Sequence, residues 1–437
     1  MPEQPGGEAV RWLYGREGMP PSPGIQWVEA PPPRPPLSRE QEWFKDLKFG
    51  MFIHWGLEAL VNAHPELGER PSGDPTWQAG CLGRELEELG SAFDAGAWVE
   101  LAVRAGQRYL CFTAKHHLGF ANFASRQSRY NSAAMGPRRD FVRLVAQECR
   151  RRGMPFVAYL SLSDMQHPDF RPLEAAAWGR YLDFLLAQME ELGSEYGPLA
   201  AFWLDCGPWN GPCYHYPNAR LRSWVRARFP GTLLMGHDWD EAEQGFESRS
   251  FGSDEGLVMG CPLFLRGGGP QPDDWPLECC DTLNRSWFHQ PADRDYKDVP
   301  TLIRRLVEVV GRGGNYLLNH GPLPSGEIYE EDRRRLEAIG QWLGGAGEAI
   351  YGTRPLGTPA APWGWPVTRG GSVYLHILRW PGKRLVLPRA LPVGKAHWLG
   401  GRALAVEVGP DSTTLHLPAQ PVDEVDAIAV LHLEQAR

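Results

Sequence analysis

The sequence predicts an α/β protein with a parallel sheet of enough strands to close a barrel, followed by an antiparallel β-sandwich. Short apolar runs alternate with amphipathic stretches from about residue 41, and repeated β–α units favour a parallel sheet. Beyond about residue 351, short alternating segments are broken by Gly and Pro, which is typical of a sandwich. We therefore predict an N-terminal Pro-rich arm over 1–40, a barrel domain over 41–350 and a β-sandwich over 351–437.

The first elements have clear boundary signals. Residues 31–36 (PPPRPP) predict a stiff, extended arm. The apolar run at 48–53 predicts the first strand, and Asp94 caps a predicted helix that ends before Gly106. A second predicted strand covers 108–113.

The same alternation continues along the chain. Apolar residues at helical spacing follow Asp140 and stop at Gly153. The remaining predicted strands cover 156–161, 199–204, 232–235 and 315–319, and the remaining predicted helices cover 174–192, 219–228, 301–310 and 331–342. Segments such as 372–378 and 414–417 have the period of antiparallel strands.

Composition excludes several classes of protein and of partner. With 42% hydrophobic and 22% charged residues the chain is globular. A net charge of -8 leaves no basic surplus for nucleic acid or an anionic membrane surface. The N-terminus lacks signal-peptide features, so we expect a cytoplasmic protein. The eight cysteines form no CxxC pair, so we expect mostly free thiols and no structural zinc.

Polar residues follow three of the predicted strands, and these residues are candidates for a site. Reacting groups in a parallel barrel lie at the carboxyl ends of the strands. The strand ends here run into His54-Trp55, into His116-His117 and into Asp205. A single His at a strand end is more often a core residue than a catalyst, and Asp205 alone is either a loop cap or a functional carboxylate. Three polar strand ends together favour a site.

Two chemical interpretations of these residues differ in their use of the histidine pair. Adjacent residues of a strand point to opposite faces, so one of His116 and His117 could share an ion with other strands, but not both. Binding of sugar hydroxyl groups suits the pair better. The 18 Trp residues fit either a carbohydrate pocket or an aromatic core, and Trp203 lies two residues before Asp205 on the same predicted face.

Several motifs occur in a fixed order along the chain: Trp43-Phe44-Lys45, residues 48–56 (KFGMFIHWG), residues 114–120 (AKHHLGF), Arg139-Asp140-Phe141, Trp203-Leu204-Asp205, residues 313–319 (GGNYLLN) and residues 339–352. In these motifs the chain resembles the α-L-fucosidases of glycoside hydrolase family 29. The resemblance covers residues 43–354, and the tail resembles the family's β-sandwich.

The resemblance implies a fold and an activity. It implies a (β/α)8-like TIM barrel with a C-terminal antiparallel β-sandwich, and hydrolysis of terminal α-L-fucosides with retention. By position, Asp205 resembles the nucleophile. The residues that match the sugar site are His54, Trp55, His116, His117, Tyr159 and Trp203. The implied partner is a fucosylated oligosaccharide or glycoconjugate, no metal or organic cofactor is implied, and a homo-oligomer is compatible with the sequence.

Retention requires a second carboxyl group as acid/base, roughly 5 to 5.5 Å from the nucleophile. Its pKa must be raised by burial or by a neighbouring charge. In the family this group lies on a loop beyond the nucleophile. We favour Glu255, with Glu247 second, and expect Glu278 to support the pocket.

The chain departs from the family pattern at three places. Leu118 replaces the Asp of Lys-His-His-Asp-Gly-Phe, no Glu-Trp-Tyr lies between Glu58 and Trp77, and Gly236-His237-Asp238-Trp239 replaces Asn-Asp-Arg-Trp. These departures leave open the leaving-group preference and the sugar accepted. They also motivate two alternatives, a sugar-binding protein without a proton donor and a metal-assisted hydrolase that uses the histidine pair.

Overall fold

The computed structural model describes residues 37–64, 83–171, 174–205, 218–236, 249–252, 276–358 and 361–434. Most of the predicted arm and both acid/base candidates, Glu247 and Glu255, lie outside these ranges. No helix within the described residues has the length and apolar character that crossing a bilayer requires.

The N-terminal part alternates strands and helices. Its strands are Phe49–Ile53 (β1), Leu110–Lys115 (β2), Phe156–Ser161 (β3), Ala201–Asp205 (β4), Leu233–Gly236 (β5), Arg249–Gly252 (β6), Leu277–Thr282 (β7) and Asn315–His320 (β8). Its helices are Arg39–Leu47 (α1), Leu57–Ala63 (α2), Gly83–Glu88 (α3), Ala95–Arg104 (α4), Phe141–Arg152 (α5), Ala175–Glu195 (α6), Asn218–Arg228 (α7), Val299–Gly311 (α8) and Glu330–Ala346 (α9), and a 3-10 turn follows at Gly347–Ala349.

The strands form one curled parallel sheet. The sheet has 8 strands in the order β5-β4-β3-β2-β1-β8-β7-β6, and neighbouring strands pair in parallel. The strands at the two ends of this order, β5 and β6, contact each other. The sheet is therefore barrel-like, which confirms the predicted parallel α/β arrangement.

Strand alternation divides the side chains between two cores. Phe52, Tyr159 and Trp203 face the inside of the curled sheet in one cluster, whereas their neighbours pack against the surrounding helices in another. Gly50 lies in β1 where a Cβ would come within 2.3 Å of the Tyr109 ring. The interior is thus closely packed, and polar groups collect at its carboxyl end.

Predicted helix boundaries are confirmed at two helices beside the site. The Asp94 side chain accepts from the Ala97 N–H at the start of α4, and Asp140 accepts from the Arg143 N–H at the start of α5. Helix α5 ends at Gly153, whose φ of 66° is left-handed and suits glycine. These caps fix where β2 and β3 begin.

The C-terminal part is antiparallel, as predicted. It contains Arg354–Pro355 (β9), Gly364–Arg369 (β10), Ser372–Ile377 (β11), Arg384–Leu387 (β12), Val393–Trp398 (β13), Ala405–Val408 (β14), Thr413–His416 (β15) and Ala427–Leu433 (β16). A 5-stranded sheet has the order β13-β16-β11-β10-β9, and a 3-stranded sheet has the order β12-β15-β14. Leucines and valines from both sheets share one buried core. The boundaries drawn at residues 40 and 350 stay predictions.

Cysteine usage differs in part from the expectation. Cys111, Cys149 and Cys280 are buried free thiols, which agrees with the prediction. Cys279, in the middle of β7, is disulfide-bonded. The expectation of free thiols therefore fails at this residue.

Candidate active site

Asp205, the last residue of β4, is the carboxylate around which the site is built. The Tyr159 hydroxyl donates a hydrogen bond of 2.6 Å to its Oδ2. His117 Nε2 lies 3.6 Å from the same oxygen. Burial, and next the Asp205 charge, raise the pKa of Tyr159 well above its ordinary value, so the phenol stays protonated and donates. A carboxylate with such a donor is stabilised in its charged form.

Sheet register explains why these side chains meet. In the pairing of β3 with β4, Tyr159 lies opposite Trp203 and Ser161 lies opposite Asp205. Because side chains alternate along a strand, all four project to one face. Asp205 and Ser161 lie at the carboxyl edge, where a parallel barrel collects its reacting groups.

His54 follows β1 and is almost completely buried. Its Nδ1 lies 2.7 Å from the Asn319 Oδ1 atom. The rings of Trp287 and Phe288 pack against the imidazole, with centroids 4.9 and 5.2 Å away. Burial, followed by the neighbouring His116, lowers the pKa of His54 to about 3. The ring is therefore neutral at any working pH.

His116 and His117 both lie in the site, which corrects the argument from strand alternation. Strand β2 ends at Lys115, so the two histidines belong to the following turn and need not point to opposite faces. Their ring centroids are 4.1 Å apart, and His116 stacks on Tyr159 at 5.4 Å. Ligand atoms of His116, His117 and Asp205 all lie within 4.8 Å of one another, so these three could hold a metal ion.

Trp203 donates a hydrogen bond from its ring to a buried carboxylate. Its ring stacks on Tyr159 at 5.5 Å, and its Nε1 donates to Glu278 Oε2 at 2.7 Å. The Tyr109 hydroxyl donates to the other Glu278 oxygen at 2.6 Å. Glu278 is completely buried near the start of β7. These contacts suit a residue that supports the pocket.

Trp55 is not among the residues gathered around Asp205, contrary to the prediction. Its side chain is fully buried in the core outside the sheet. The ring packs edge-on against Trp98 and Phe141, and its Nε1 donates to the Leu323 carbonyl at 2.8 Å. The physical reason is packing, since the ring is buried against Trp98 of helix α4 and Phe141 of helix α5.

A buried ion pair fixes the two loops that flank the histidine pair. Lys115 Nζ lies 3.1 Å from Asp164 Oδ2, and both side chains are buried. The other Asp164 oxygen accepts from the N–H groups of Gln166 and His167. The Met165 N–H donates to the His117 carbonyl. The loop after β3 is thereby joined to the loop after β2.

Sequence reasoning missed several residues that the structure brings to the site: Glu58, Ser161, Asp164, Trp287, Phe288 and Asn319. Ser161 ends an apolar strand and Asn319 lies one residue before the end of another, so the signal that indicated Asp205 could have found both. Glu58 lies in the short helix α2 and carries no such signal. The predicted acid/base residues Glu255 and Glu247 lie outside the described residues.

An aspartate held by a tyrosine among histidines and aromatic rings, at the carboxyl ends of parallel strands, is the kind of site found in glycoside hydrolases. The model of the alpha-L-fucosidase family matches residues 89–348. The chain therefore belongs to the alpha-L-fucosidase family.

Individual relatives agree with this assignment. An alpha-L-fucosidase of Branchiostoma floridae is 28% identical, over 86% of this chain and 88% of that protein. The alpha-L-fucosidase isoenzyme 1 from Paenibacillus thiaminolyticus is 28% identical, covers 91% of this chain and 99% of its own, and has a TM-score of 0.76. A Bacteroides thetaiotaomicron alpha-L-fucosidase, solved as a trapped covalent intermediate, is 23% identical over 90% of this chain and 96% of its own, with a TM-score of 0.75. The last likeness concerns the fold.

Proposed function

We propose that this protein is a retaining exo-glycosidase that hydrolyses terminal α-L-fucosides through a covalent ester on Asp205. The Asp205 carboxylate would attack the anomeric carbon while the bond to the leaving oxygen breaks and an acid protonates that oxygen. Water would then cleave the ester with the same acid acting as base. The observation that carries the proposal is the 2.6 Å hydrogen bond from Tyr159, which holds a charged carboxylate at the carboxyl end of β4.

The surroundings of Asp205 suit a fucoside. His54, His116 and His117 offer ring nitrogens for hydroxyl groups. Trp287 and Phe288, packed against His54, offer apolar surface for the methyl group of the sugar. We propose a fucosylated oligosaccharide or glycoconjugate as the substrate.

We propose Glu255 as the proton donor, with Glu247 second, on the sequence argument alone. An acid/base variant loses most activity on substrates with poor leaving groups and least on activated ones. Glu255→Gln should show this dependence on the leaving group, and Glu247→Gln should not. If Glu247→Gln shows this dependence and Glu255→Gln does not, Glu247 is the proton donor.

The finer description of the fold and the location are also proposals. The contact between β5 and β6 supports a closed (β/α)8-like TIM barrel, and the shared core of the two antiparallel sheets supports a β-sandwich. We propose a cytoplasmic location on the sequence argument alone. Thiol titration of the protein purified under non-reducing conditions tests it, because a disulfide at Cys279 should not persist in a reducing compartment.

Replacing Asp205 tests the proposed nucleophile. With an aryl α-L-fucoside, Asp205→Gly should lose roughly three or more orders of magnitude in kcat, about 4 kcal/mol of transition-state stabilisation. Added azide should restore turnover and give a fucosyl azide of inverted configuration, because the small anion replaces the missing carboxylate. Asp332→Asn, at a buried aspartate bonded to His320, is the matched control and should keep its activity. Near-full activity of Asp205→Gly would disprove the assignment.

A metal-assisted hydrolase is the second candidate, favoured by the spacing of His116, His117 and Asp205. Such a site would activate a metal-bound water and form no ester with the protein. Exhaustive chelation separates the two candidates. Activity that survives chelation removes the metal mechanism, and activity restored only by added metal removes the ester mechanism.

A further inference from the structure

The Nδ1 atom of each of the three site histidines lies near a side-chain oxygen, and each oxygen comes from another strand or helix of the sheet region. The pairs are His54 with Asn319 Oδ1 at 2.7 Å, His117 with Ser161 Oγ at 2.6 Å and His116 with Glu58 Oε1 at 3.4 Å. The three oxygens belong to an amide, a hydroxyl group and a carboxylate. At His54 and His117 the chemistry of the partner decides which nitrogen carries a proton.

At His117 the direction of the hydrogen bond follows from Ser163. The Ser161 hydroxyl lies 2.8 Å from the Ser163 carbonyl and accepts from the Ser163 N–H at 3.0 Å. A carbonyl can only accept, so the single hydroxyl proton of Ser161 points to it. Ser161 Oγ must then accept from His117, which therefore carries its proton on Nδ1. The other ring nitrogen, Nε2, lies 3.6 Å from Asp205 Oδ2.

At His54 the direction follows from Trp287. The Asn319 Nδ2 donates to the Trp287 carbonyl at 2.6 Å, which fixes the amide with its oxygen toward His54. An amide oxygen only accepts, so His54 Nδ1 donates. Because burial keeps this ring neutral, with its pKa lowered to about 3, the other nitrogen, Nε2, is an acceptor.

At His116 the partner is a carboxyl oxygen of Glu58, 3.4 Å from Nδ1. Glu58 is buried in helix α2, and its Oε1 also accepts from the Leu118 N–H at 3.3 Å. Glu58 thus joins the loop after β1 to the loop after β2. The 3.4 Å contact lacks hydrogen-bond geometry, so it does not decide which nitrogen of His116 carries the proton.

We propose that Asn319 and Ser161 are positioning residues that keep a proton on Nδ1 of His54 and of His117. Neutral His54 then presents an Nε2 lone pair that can accept a hydrogen bond, and His117 has its Nε2 beside Asp205. The part that concerns sugar rests on the proposed function, since a fucoside supplies the hydroxyl protons. A hydroxyl group would be selected over a group of similar size without a proton, because a buried acceptor left unmatched is costly.

The tautomers are measurable without any sugar. In the full-length enzyme labelled with ¹⁵N-histidine, the long-range ¹H–¹⁵N spectrum at neutral pH should show the Nδ1–H pattern for His54 and a protonated Nδ1 for His117, both assigned by single His→Gln variants. Ser161→Ala should shift the His117 signals toward Nε2–H. Ser132→Ala, which removes another buried hydroxyl bonded to a backbone carbonyl, should leave them unchanged. An Nε2–H pattern for His54 or His117 in the wild type overturns the proposal.

Kinetics test whether the tautomers matter for catalysis. Ser161→Ala should lower kcat/KM for an aryl fucoside about tenfold or more, the effect of about one misdirected hydrogen bond. Ser161→Thr, which keeps the hydroxyl, should restore most of it. Glu191→Leu, at a buried carboxylate bonded to Ser125, is the matched control for a merely structural loss and should alter stability without altering KM.

The two experiments separate failure of this proposal from failure of the proposed function. If no fucoside is hydrolysed but the Nδ1–H pattern is found, the tautomer assignment stands and the substrate is wrong. If fucosides are hydrolysed and Ser161→Ala alters neither the spectrum nor kcat/KM, the positioning role is wrong.

Discussion

Two buried histidines have pKa values that are shifted in opposite directions. His54 lies at the carboxyl end of the parallel sheet, and His376 lies in the C-terminal part of the chain. His54 has its pKa lowered to about 3 by burial and by neighbouring His116. His376 is equally buried, and burial is the largest single effect on its pKa, but the charge and hydrogen bond of Asp426 together with the hydrogen bond to the Ala349 carbonyl outweigh it and raise the pKa. The difference lies in the partner, a neutral amide at His54 and a carboxylate at His376, 2.6 Å away.

The contacts of His376 require a charged ring. Its Nδ1 faces Asp426, and its Nε2 lies 3.1 Å from the Ala349 carbonyl. Both partners accept, so both ring nitrogens must carry protons. Ala349 belongs to the turn after α9, whereas His376 lies in β11. The imidazolium therefore joins the barrel-like part to the antiparallel sheets, whereas the neutral His54 leaves a lone pair for chemistry.

Removing His376 should have the largest effect on stability. His376→Leu leaves Asp426 buried without its partner, and we expect a loss of about 4 kcal/mol in the free energy of unfolding, measured by urea titration at pH 6. The double variant His376→Leu/Asp426→Leu should recover most of it, because two apolar side chains replace the pair. Activity per folded molecule should stay within about twofold. A loss below about 1 kcal/mol would show that the ring is not charged.

The pH dependence of stability should differ in sign between the two histidines. His54 binds a proton in the unfolded chain near its ordinary pKa but in the folded protein only near pH 3, so acid destabilises. From pH 7 to pH 4 the wild type should lose about 3 kcal/mol more than His54→Asn. For His376 the folded pKa is raised, so its contribution is complete below the ordinary value and is lost as pH rises through the folded pKa.

Urea titrations over this pH range check the predicted sign of the pH dependence of stability for both histidines. His54→Asn should flatten the acid side of the stability profile, and His376→Leu should flatten the side above about pH 6.5. Parallel profiles for wild type and His54→Asn would contradict a neutral His54.

The smallest expected effect concerns Trp55, which the structure places outside the site. Trp55→Phe removes the hydrogen bond to the Leu323 carbonyl and should cost about 1 to 2 kcal/mol of stability. KM for an aryl fucoside should not change. Trp203→Phe removes a similar hydrogen bond, to Glu278. Because the Trp203 ring stacks on Tyr159, this variant should alter kcat as well as stability. A changed KM in Trp55→Phe would show that Trp55 contributes to the substrate site.

The sequence predicted most of the elements because their signals are local, but it did not predict β6 or β7. The caps at Asp94 and Asp140 and the stop at Gly153 are read from neighbouring residues, and all three are where they were expected. The partners of the site residues could not be predicted in this way. Glu58 contacts His116 across two loops, and Asn319 contacts His54 across 265 positions. The place of Trp55 could not be predicted either, because it depends on packing against distant aromatic rings.

The amino-acid sequence by itself determined six of the eight strands of the parallel sheet and six of the nine helices described around it, the change to antiparallel strands near residue 351, and the aspartate that ends β4. These follow from periodicity, capping and motif order along the chain. Only the tertiary structure decided which partner each histidine has, and therefore which rings are neutral, which is charged and where each proton lies. The pKa of a histidine depends on its burial and on oxygen atoms that distant strands bring within about 3 Å. The order of residues along the chain does not give these distances.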